Sequence, residues 1–388
     1  MTSSTRRTRT VRAALAADAA HRAVVPPIYL SSNYAFDGFG GKGSYDYSRS
    51  ANPTRDHLGE ALATLEGGAG AVVTASGMGA ITVILHQQCK AGDLVVAPHD
   101  CYGGTIRLLL ALERQGALQV RFVDFTDEPA LDAALAARPR LVWIETPSNP
   151  LLRITDLERT ITKAKSIGAT VAVDNTFLTP VWQRPLEFGA DLVSHSTTKY
   201  LNGHSDVIGG VVVSATAELH QDVAWWANCL GLTGGAFDSY LTLRGLRTLH
   251  ARLGVHATNA QSLAETLTGH AAVAAVHYPG LATHPQHALA ARQQSGFGAM
   301  LSFELAGGLP AVQAFVDGLK CFTLAESLGG VESLIAHPAT MTHAAMSDEA
   351  KARAGLVDGL LRISVGIEDP VDLQADLLAA LDRAASVG

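Results

Sequence analysis

From about residue 60 to residue 215, short apolar runs rich in β-branched residues alternate with stretches whose apolar positions recur at helical spacing. Ala71–Thr74, Leu94–Ala97, Val120–Asp124, Leu141–Glu145, Thr170–Asp174 and Leu192–His195 read as buried strands. Thr105–Arg114 and Asp156–Ile167 read as helices, the second capped by Asp156 and closed by Gly168. Such alternation predicts an α/β fold with a mostly parallel sheet covered by helices on both faces. Ligands of such sheets gather beyond the carboxyl ends of the strands. The loops that follow these runs are therefore where chemistry is expected.

The pattern then changes. Around Leu246–Ala260 it predicts a long helix, and beyond it helices mix with strands at Ala299–Glu304 and Leu361–Val365. A smaller C-terminal α+β domain is expected. Before residue 60 no period is sustained, yet Val24-Val25-Pro26-Pro27-Ile28-Tyr29 is too apolar for a solvated tail. That stretch reads as an arm packed on something, a neighbouring subunit included. The expected division is an arm over 1–60, a large domain over 61–256 and a C-terminal domain over 257–388.

Length agrees, since 388 residues correspond to two domains. A formal charge of −7 without a basic tract gives nucleic-acid binding no electrostatic footing. Cys89, Cys101, Cys229 and Cys321 are scattered and form no C-x-x-C pair, which excludes a disulfide framework and fits a reducing cytoplasm. Met1 to Arg12 is rich in Ser, Thr and Arg, as transit peptides are, but no apolar core follows Arg6-Arg7 as a secretory signal requires. No apolar run approaches the ~20 residues of a membrane span. A cytoplasmic protein is expected. His284-Pro285-Gln286-His287 lacks matching acidic ligands, so no metal is expected.

The strand-end loops carry a coherent set of side chains. Ala75-Ser76-Gly77-Met78-Gly79 leads into a helix whose free N–H groups suit a phosphate, with Gly77 allowing close approach; alone such a run is more often only a strand-to-helix turn. It is neither a G-x-x-x-x-G-K-[ST] loop nor a G-x-G-x-x-G fingerprint. Tyr102, between Cys101 and Gly103-Gly104, either lies against an aromatic ligand or simply packs. Asn149 follows the strand Leu141–Glu145 and either binds a ligand or serves its own turn. Asp174 ends an apolar strand, where a carboxylate needs a partner. A protonated pyridine nitrogen is one partner and a structural Arg or helix N-terminus another. Finally, Ser196-Thr197-Thr198 places hydroxyls for a phosphate just before Lys199, whose amine forms a Schiff base when desolvation or a nearby cation lowers its pKa. Ser196-x-x-Lys199 also matches the S-x-x-K pattern, but no S-D-N or K-T-G element accompanies it. Together these loops fall at consecutive strand ends and make one cofactor site, of the kind pyridoxal 5′-phosphate requires.

With those residues assembled, the chain resembles the Cys/Met-metabolism family of pyridoxal-phosphate enzymes. The run from Asp191 through Lys199 to Ser205 follows that family's signature. So do Tyr45–Arg49, Asn52–Arg55, Ser76–Met78, Ser148–Pro150, Ser327–Ser333 and Leu361–Gly366. The resemblance implies the aspartate-aminotransferase-like fold of pyridoxal-phosphate transferases. It implies Lys199 as Schiff-base lysine and proton shuttle, Asp174 on the pyridinium nitrogen and Tyr102 stacked on the ring. Gly77, Met78, Ser196 and Thr198 would hold the phosphate from one subunit, with Tyr47 and Arg49 reaching it from the neighbour. An obligate dimer follows, doubled to a homotetramer. Arg362 would clamp the substrate α-carboxylate, with Asn149 and Ser327 beside it.

Within the family, Ala97–Gly104, Ala224–Asn228, Thr233–Tyr240 and Gly296–Glu304 are similar to members that perform γ-replacement. The implied reaction joins O-succinyl-L-homoserine to L-cysteine, giving L-cystathionine and succinate. Glu326 is the acid shared with γ-eliminating members, and Arg107 or Arg49 would meet the distal carboxylate. The alternatives are γ-elimination of cystathionine to cysteine, 2-oxobutyrate and ammonia, or sulfide in place of cysteine as acceptor. A non-catalytic carrier of the cofactor would have no use for Arg362.

Overall fold

The first strand, β1 (Gly70–Thr74), joins β2 (Leu94–Pro98), β3 (Gln119–Val123), β4 (Leu141–Glu145), β5 (Thr170–Asp174), β6 (Leu192–Ser196) and β7 (Gly210–Ser214) in one sheet. The computed structural model describes residues 4–344 and 346–387. Residues 1–3, the start of the Ser/Thr/Arg-rich segment, lie outside that range. The sheet order is β1-β7-β6-β5-β4-β2-β3. Only β7 runs against its neighbours β1 and β6, so β1 to β6 all end on one edge.

Both faces are covered, which is why β4 can be apolar at consecutive positions and buried throughout. Period-two alternation sorts the side chains between two layers. Val95, Ala97, Leu141, Trp143, Ala172 and Leu192 pack beneath the helix Gly77–Gln88 and Val223 of the helix Ala217–Leu230. Val96, Val142, Ile144, Val171 and Val173 pack against Leu131 and Leu135 of the helix Glu128–Leu135 and Leu157 and Ile161 of the helix Leu157–Ser166. Asp156 caps that last helix through the Arg159 N–H at 3.0 Å, and Gly168 follows it at φ +81°.

Several elements differ from the sequence reading, among them the helix Pro53–Glu66, which starts in the stretch read as without a period and crosses residue 60. β7 was not among the expected strands. The helix read over Leu246–Ala260 is two helices, Ala236–Leu246 and Leu249–Thr268, and position 256 falls inside the second. Arg252 of that helix donates to the carbonyls of Tyr200 and Gly245, each at 2.9 Å, fastening it to the segment after Lys199.

A second sheet holds β8 (Val273–His277), β9 (Met300–Leu305), β10 (Thr323–Leu324), β11 (Leu334–Ala336) and β12 (Leu360–Ser364), ordered β10-β11-β12-β9-β8. The helix Pro370–Ala385 buries Leu373, Leu377 and Leu381 in the same core as Phe303 and Ile363. That core also takes in Leu58 and Leu62 of the helix Pro53–Glu66, and Val193 and Val211 of the large sheet. Asn52 starts the Pro53–Glu66 helix by accepting from the Thr54 N–H at 3.0 Å. The segment before it leaves Val24, Leu30, Phe36 and Phe39 exposed. No helix among the described residues is long and apolar enough to cross a membrane.

Candidate active site

Lys199 lies in a turn immediately after β6. The Gly203 N–H closes this turn on the Lys199 carbonyl at 2.8 Å, and Gly203 takes φ +76°. Against it rests the loop before β11. Gly329, at φ +78°, sits where a Cβ would be 2.6 Å from the Tyr200 nitrogen, so only glycine lets the two segments meet. Two residues earlier, Ser327 holds φ +89°, a left-handed conformation that is costly for a residue with a side chain. That conformation lets Ser327 act in two directions. Its hydroxyl accepts from Lys199 Nζ at 2.6 Å, and its carbonyl accepts from Arg362 Nη2 at 3.0 Å.

Arg362, on β12, is 3% exposed and also donates through Nη1 to Asn149 Oδ1 at 2.9 Å. Its Nε is buried without a hydrogen-bond partner among the described residues. One hydrogen-bonded chain thus runs from Lys199 through Ser327 and Arg362 to Asn149. Burial, assisted by the Arg362 charge and opposed by Glu326, brings the Lys199 amine down to about 8. An amine so lowered is available as a base and nucleophile far more readily than an exposed lysine. Burial likewise brings the Arg362 guanidinium down to about 10, as for a cation short of an anionic partner.

Asp174 ends β5, with Oδ1 accepting the Thr176 N–H at 3.0 Å. Burial raises its pKa, against the Thr176 hydrogen bonds and the His195 charge. A cationic nitrogen placed beside it would restore its ionised form. Tyr102 starts the helix Gly103–Arg114, and its N–H donates to Glu145 Oε2 at 2.8 Å. Its ring folds back so closely that a Cβ on Gly104 would be 2.4 Å from the ring and 2.8 Å from Met78 Sδ. Tyr102 remains 42% exposed, so the ring has a face free to stack.

Gly77 and Met78 open the helix Gly77–Gln88, where Ser76 accepts the Gly79 N–H at 3.0 Å and leaves the first N–H groups to an external acceptor. A Cβ on Gly77 would lie 2.8 Å from Ser196 Cβ, so the missing methyl keeps open a concavity between helix and β6. Thr198 flanks it, its hydroxyl accepting the Gly209 N–H at 3.0 Å. The residues present fit the proposed cofactor. They offer helix N–H groups and hydroxyls for a phosphate, a carboxylate for a ring nitrogen, an aromatic face and an amine of lowered pKa.

Among the described residues, the other candidates make no side-chain hydrogen bond to this site, though Glu326 acts on Lys199 and Arg362 through its charge. Tyr47 and Arg49 lie together in the arm, the Arg49 guanidinium 5.7 Å from the Tyr47 ring centroid. Among the described residues, neither side chain hydrogen-bonds to the Gly77–Ser196 cradle of its own chain. Arg107 and Glu326 are exposed. Sequence reasoning also passed over a supporting layer. Asp100 accepts from Ser148 Oγ at 2.6 Å and from Arg153 Nη1 at 2.9 Å, while His343 Nε2 lies 3.1 Å from the Asn149 carbonyl. Glu145 is the clearest omission. An acid ending an apolar strand was the signal that singled out Asp174, and Glu145 carries the same signal.

Comparison with known proteins agrees with this geometry. The family model for Cys/Met metabolism PLP-dependent enzymes matches residues 7–382. The chain belongs to this family. Its cofactor is pyridoxal phosphate and its fold is that of the fold type I enzymes. It is 56% identical over 367 residues to cystathionine gamma-synthase of Escherichia coli K12, covering 95% of each chain. Two solved structures of cystathionine gamma synthase from Xanthomonas oryzae pv. oryzae are 64% identical, with a TM-score of 0.99 and 100% coverage of both chains. One is in complex with aminoacrylate and cysteine, the other with cystathionine. Cystathionine gamma-lyase from Lactobacillus plantarum is 39% identical at a TM-score of 0.95, covering 98% of this chain and 100% of that one.

Proposed function

We propose that the enzyme joins O-succinyl-L-homoserine to L-cysteine, giving L-cystathionine and succinate. The observation that carries this reading is the chain Lys199–Ser327–Arg362–Asn149, which sets an amine of lowered pKa beside a guanidinium awaiting an anion. The similarity to the Xanthomonas enzyme that binds cysteine and cystathionine supports the choice of substrates.

Pyridoxal phosphate, when bound, supplies an electron sink for the bond changes at the substrate's Cα. The protein does the rest. Arg362 receives the α-carboxylate as a two-pronged pair, with Asn149 and Ser327 keeping its fork in plane. This presents the Cα–H to Lys199 Nζ, which removes that proton and later moves protons between Cα and Cβ. Asp174 stays ionised and holds the proton of the ring nitrogen, and Tyr102 covers the ring face. The Cγ–O bond breaks with its electron pair leaving on succinate. The cysteine sulfur forms the new bond to Cγ and gives up its thiol proton. Arg107 and Glu326, both exposed near the helix Gly103–Arg114 and the Ser327 loop, are assigned to the distal ends of the two substrates.

Tyr47 and Arg49 are assigned to the phosphate site of a second copy, in a homotetramer of shared sites in the cytoplasm. The exposed apolar side chains of the arm support that assembly. The three units expected from the sequence, 1–60, 61–256 and 257–388, are kept as a proposed functional division, although both boundaries fall inside helices, Pro53–Glu66 and Leu249–Thr268.

A second reading is γ-elimination of cystathionine, favoured by the likeness to the Lactobacillus lyase. Purified enzyme is incubated with O-succinylhomoserine and cysteine, and separately with cystathionine. Cystathionine formation faster than release of 2-oxobutyrate is expected. The reverse ranking overturns the synthase reading in favour of the lyase.

A further inference from the structure

Glu145 closes β4, and the reaction above makes no use of it. It is 6% exposed and lies on the same face of the sheet as Trp143. The parallel register sets Glu145 directly across from Asp174, and neighbouring strands are only ~4.8 Å apart. Two carboxyl groups therefore share one buried site. The groups around Glu145 are Asp174 on β5, and Asp100, Cys101 and Tyr102 in the loop after β2. They bring two further acids and one main-chain N–H and, among the described residues, no cation paired with Glu145.

Two carboxylates so placed cannot both stay ionised, and one of them keeps a proton. Asp174 is the better anion, because it has the Thr176 N–H and the favourable His195 charge. The reading of Asp174 as partner of a ring nitrogen adds a cation to its side. Among the described residues, Glu145 has only the Tyr102 N–H, which needs an acceptor oxygen and no charge.

We propose that Glu145 is a positioning residue held as a neutral carboxylic acid: its Oε2 anchors the main chain of Tyr102, and its neutrality leaves Asp174 as the sole negative charge facing the ring nitrogen. Burial and the Asp174 carboxylate push the Glu145 carboxyl well above the usual range, in agreement with this assignment. The anchor matters because the Tyr102 main chain aims the ring across Gly104 toward Met78. This inference rests on the proposed roles of Asp174 and Tyr102.

The test uses holoenzyme carrying Glu145→Gln, Glu145→Ala or Asp174→Asn. Glutamine keeps the acceptor oxygen without charge, so cofactor affinity should stay within about threefold of wild type. The pH midpoint of the bound cofactor's absorbance should not move. Wild-type minus Glu145→Gln infrared difference spectra should show the loss of a protonated carboxyl band. Glu145→Ala should weaken cofactor binding about tenfold, the loss expected for one buried hydrogen bond.

A Glu145→Gln midpoint displaced by a unit or more, or no protonated band lost, means that Glu145 is ionised and overturns the proposal. Wild-type affinity in Glu145→Ala overturns the anchoring role. If Glu145→Ala does not fold, the Glu145→Gln midpoint and infrared bands decide. Asp174→Asn separates the two readings. Undiminished affinity in that variant sinks the ring-nitrogen role of Asp174, whereas failure of the Glu145 proposal leaves Asp174→Asn impaired.

Discussion

Arg362 shows what a single side chain contributes and what replacing it should do. Its two η nitrogens are fixed by Ser327 and Asn149, and the side chain is buried, so a lysine could not reproduce the fork. Arg362→Lys is expected to raise KM for both amino-acid substrates by roughly 10- to 100-fold, the effect of one or two charge-assisted hydrogen bonds. Steady-state kinetics would show it, and an unchanged KM would remove Arg362 from the carboxylate site. Lys199→Ala should abolish turnover yet keep some cofactor through the phosphate contacts, as measured by absorbance after gel filtration. His256 makes a separate prediction about stability. Buried with Nδ1 2.7 Å from the Val365 carbonyl, it is brought by burial from 6.5 down to about 4. The unfolded chain therefore binds a proton between those values that the fold refuses. Stability from this residue is complete above pH 6.5 and falls as pH drops toward 4, by up to ~3 kcal/mol. Urea unfolding at pH 7 and pH 5 should find the loss on acidification smaller by about 2 kcal/mol in His256→Asn than in the wild type. Equal losses would contradict it. At this scale the candidates legible in sequence were residues of unusual type for their place, such as an acid ending an apolar strand or a lysine after hydroxyls. The left-handed Ser327 gave no such sign, because its conformation comes from a loop packed on a distant turn.

Elements position these side chains, and their legibility depended on local pattern. β4 and β5 were readable because both of their faces are buried and their apolar runs are unbroken, whereas β6 offered only Leu192-Val193 before Ser194-His195-Ser196. β7 was harder, since Gly209-Gly210 precedes only Val211-Val212-Val213. Gly210 is small for a tertiary reason: a Cβ there would be 2.2 Å from the Ser76 carbonyl. The break at Arg247-Thr248 has neither Gly nor Pro to announce it. The start of the helix Gly77–Gln88 offers a controlled test of how elements build the cradle. Gly77→Ala forces a methyl to 2.8 Å from Ser196 Cβ, whereas Gly79→Ala meets nothing nearer than 3.5 Å. The first substitution should weaken pyridoxal phosphate binding about tenfold and destabilise by roughly 1–3 kcal/mol, as overpacking does. The second should leave affinity near wild type. Cofactor titration followed by absorbance compares them, and equal affinities would place the phosphate elsewhere.

The whole molecule contains an arm whose purpose the single chain does not supply. Tyr47 is 48% exposed with the Arg49 guanidinium 5.7 Å from its ring centroid, and Val24, Leu30, Phe36 and Phe39 present apolar surface. A twofold dimer would bury such a surface against its own copy and carry both side chains to the neighbouring site. Which residues would meet across such an interface could not be read from sequence spacing, because the contact would join two chains. Complementation distinguishes this arrangement from one in which each chain completes its own site. Arg49→Ala should impair phosphate binding at the neighbour's site, and Lys199→Ala should inactivate its own. In a heterodimer of the two variants, one site receives both defects and the other receives neither. Unfolding an equal mixture and refolding it together should then restore about a quarter of wild-type activity, since half the dimers are mixed and each holds one intact site. The variants refolded separately should stay inactive. If the mixed sample is no more active than its components, Arg49 serves its own chain, and the arm stabilises the assembly without entering the neighbour's chemistry.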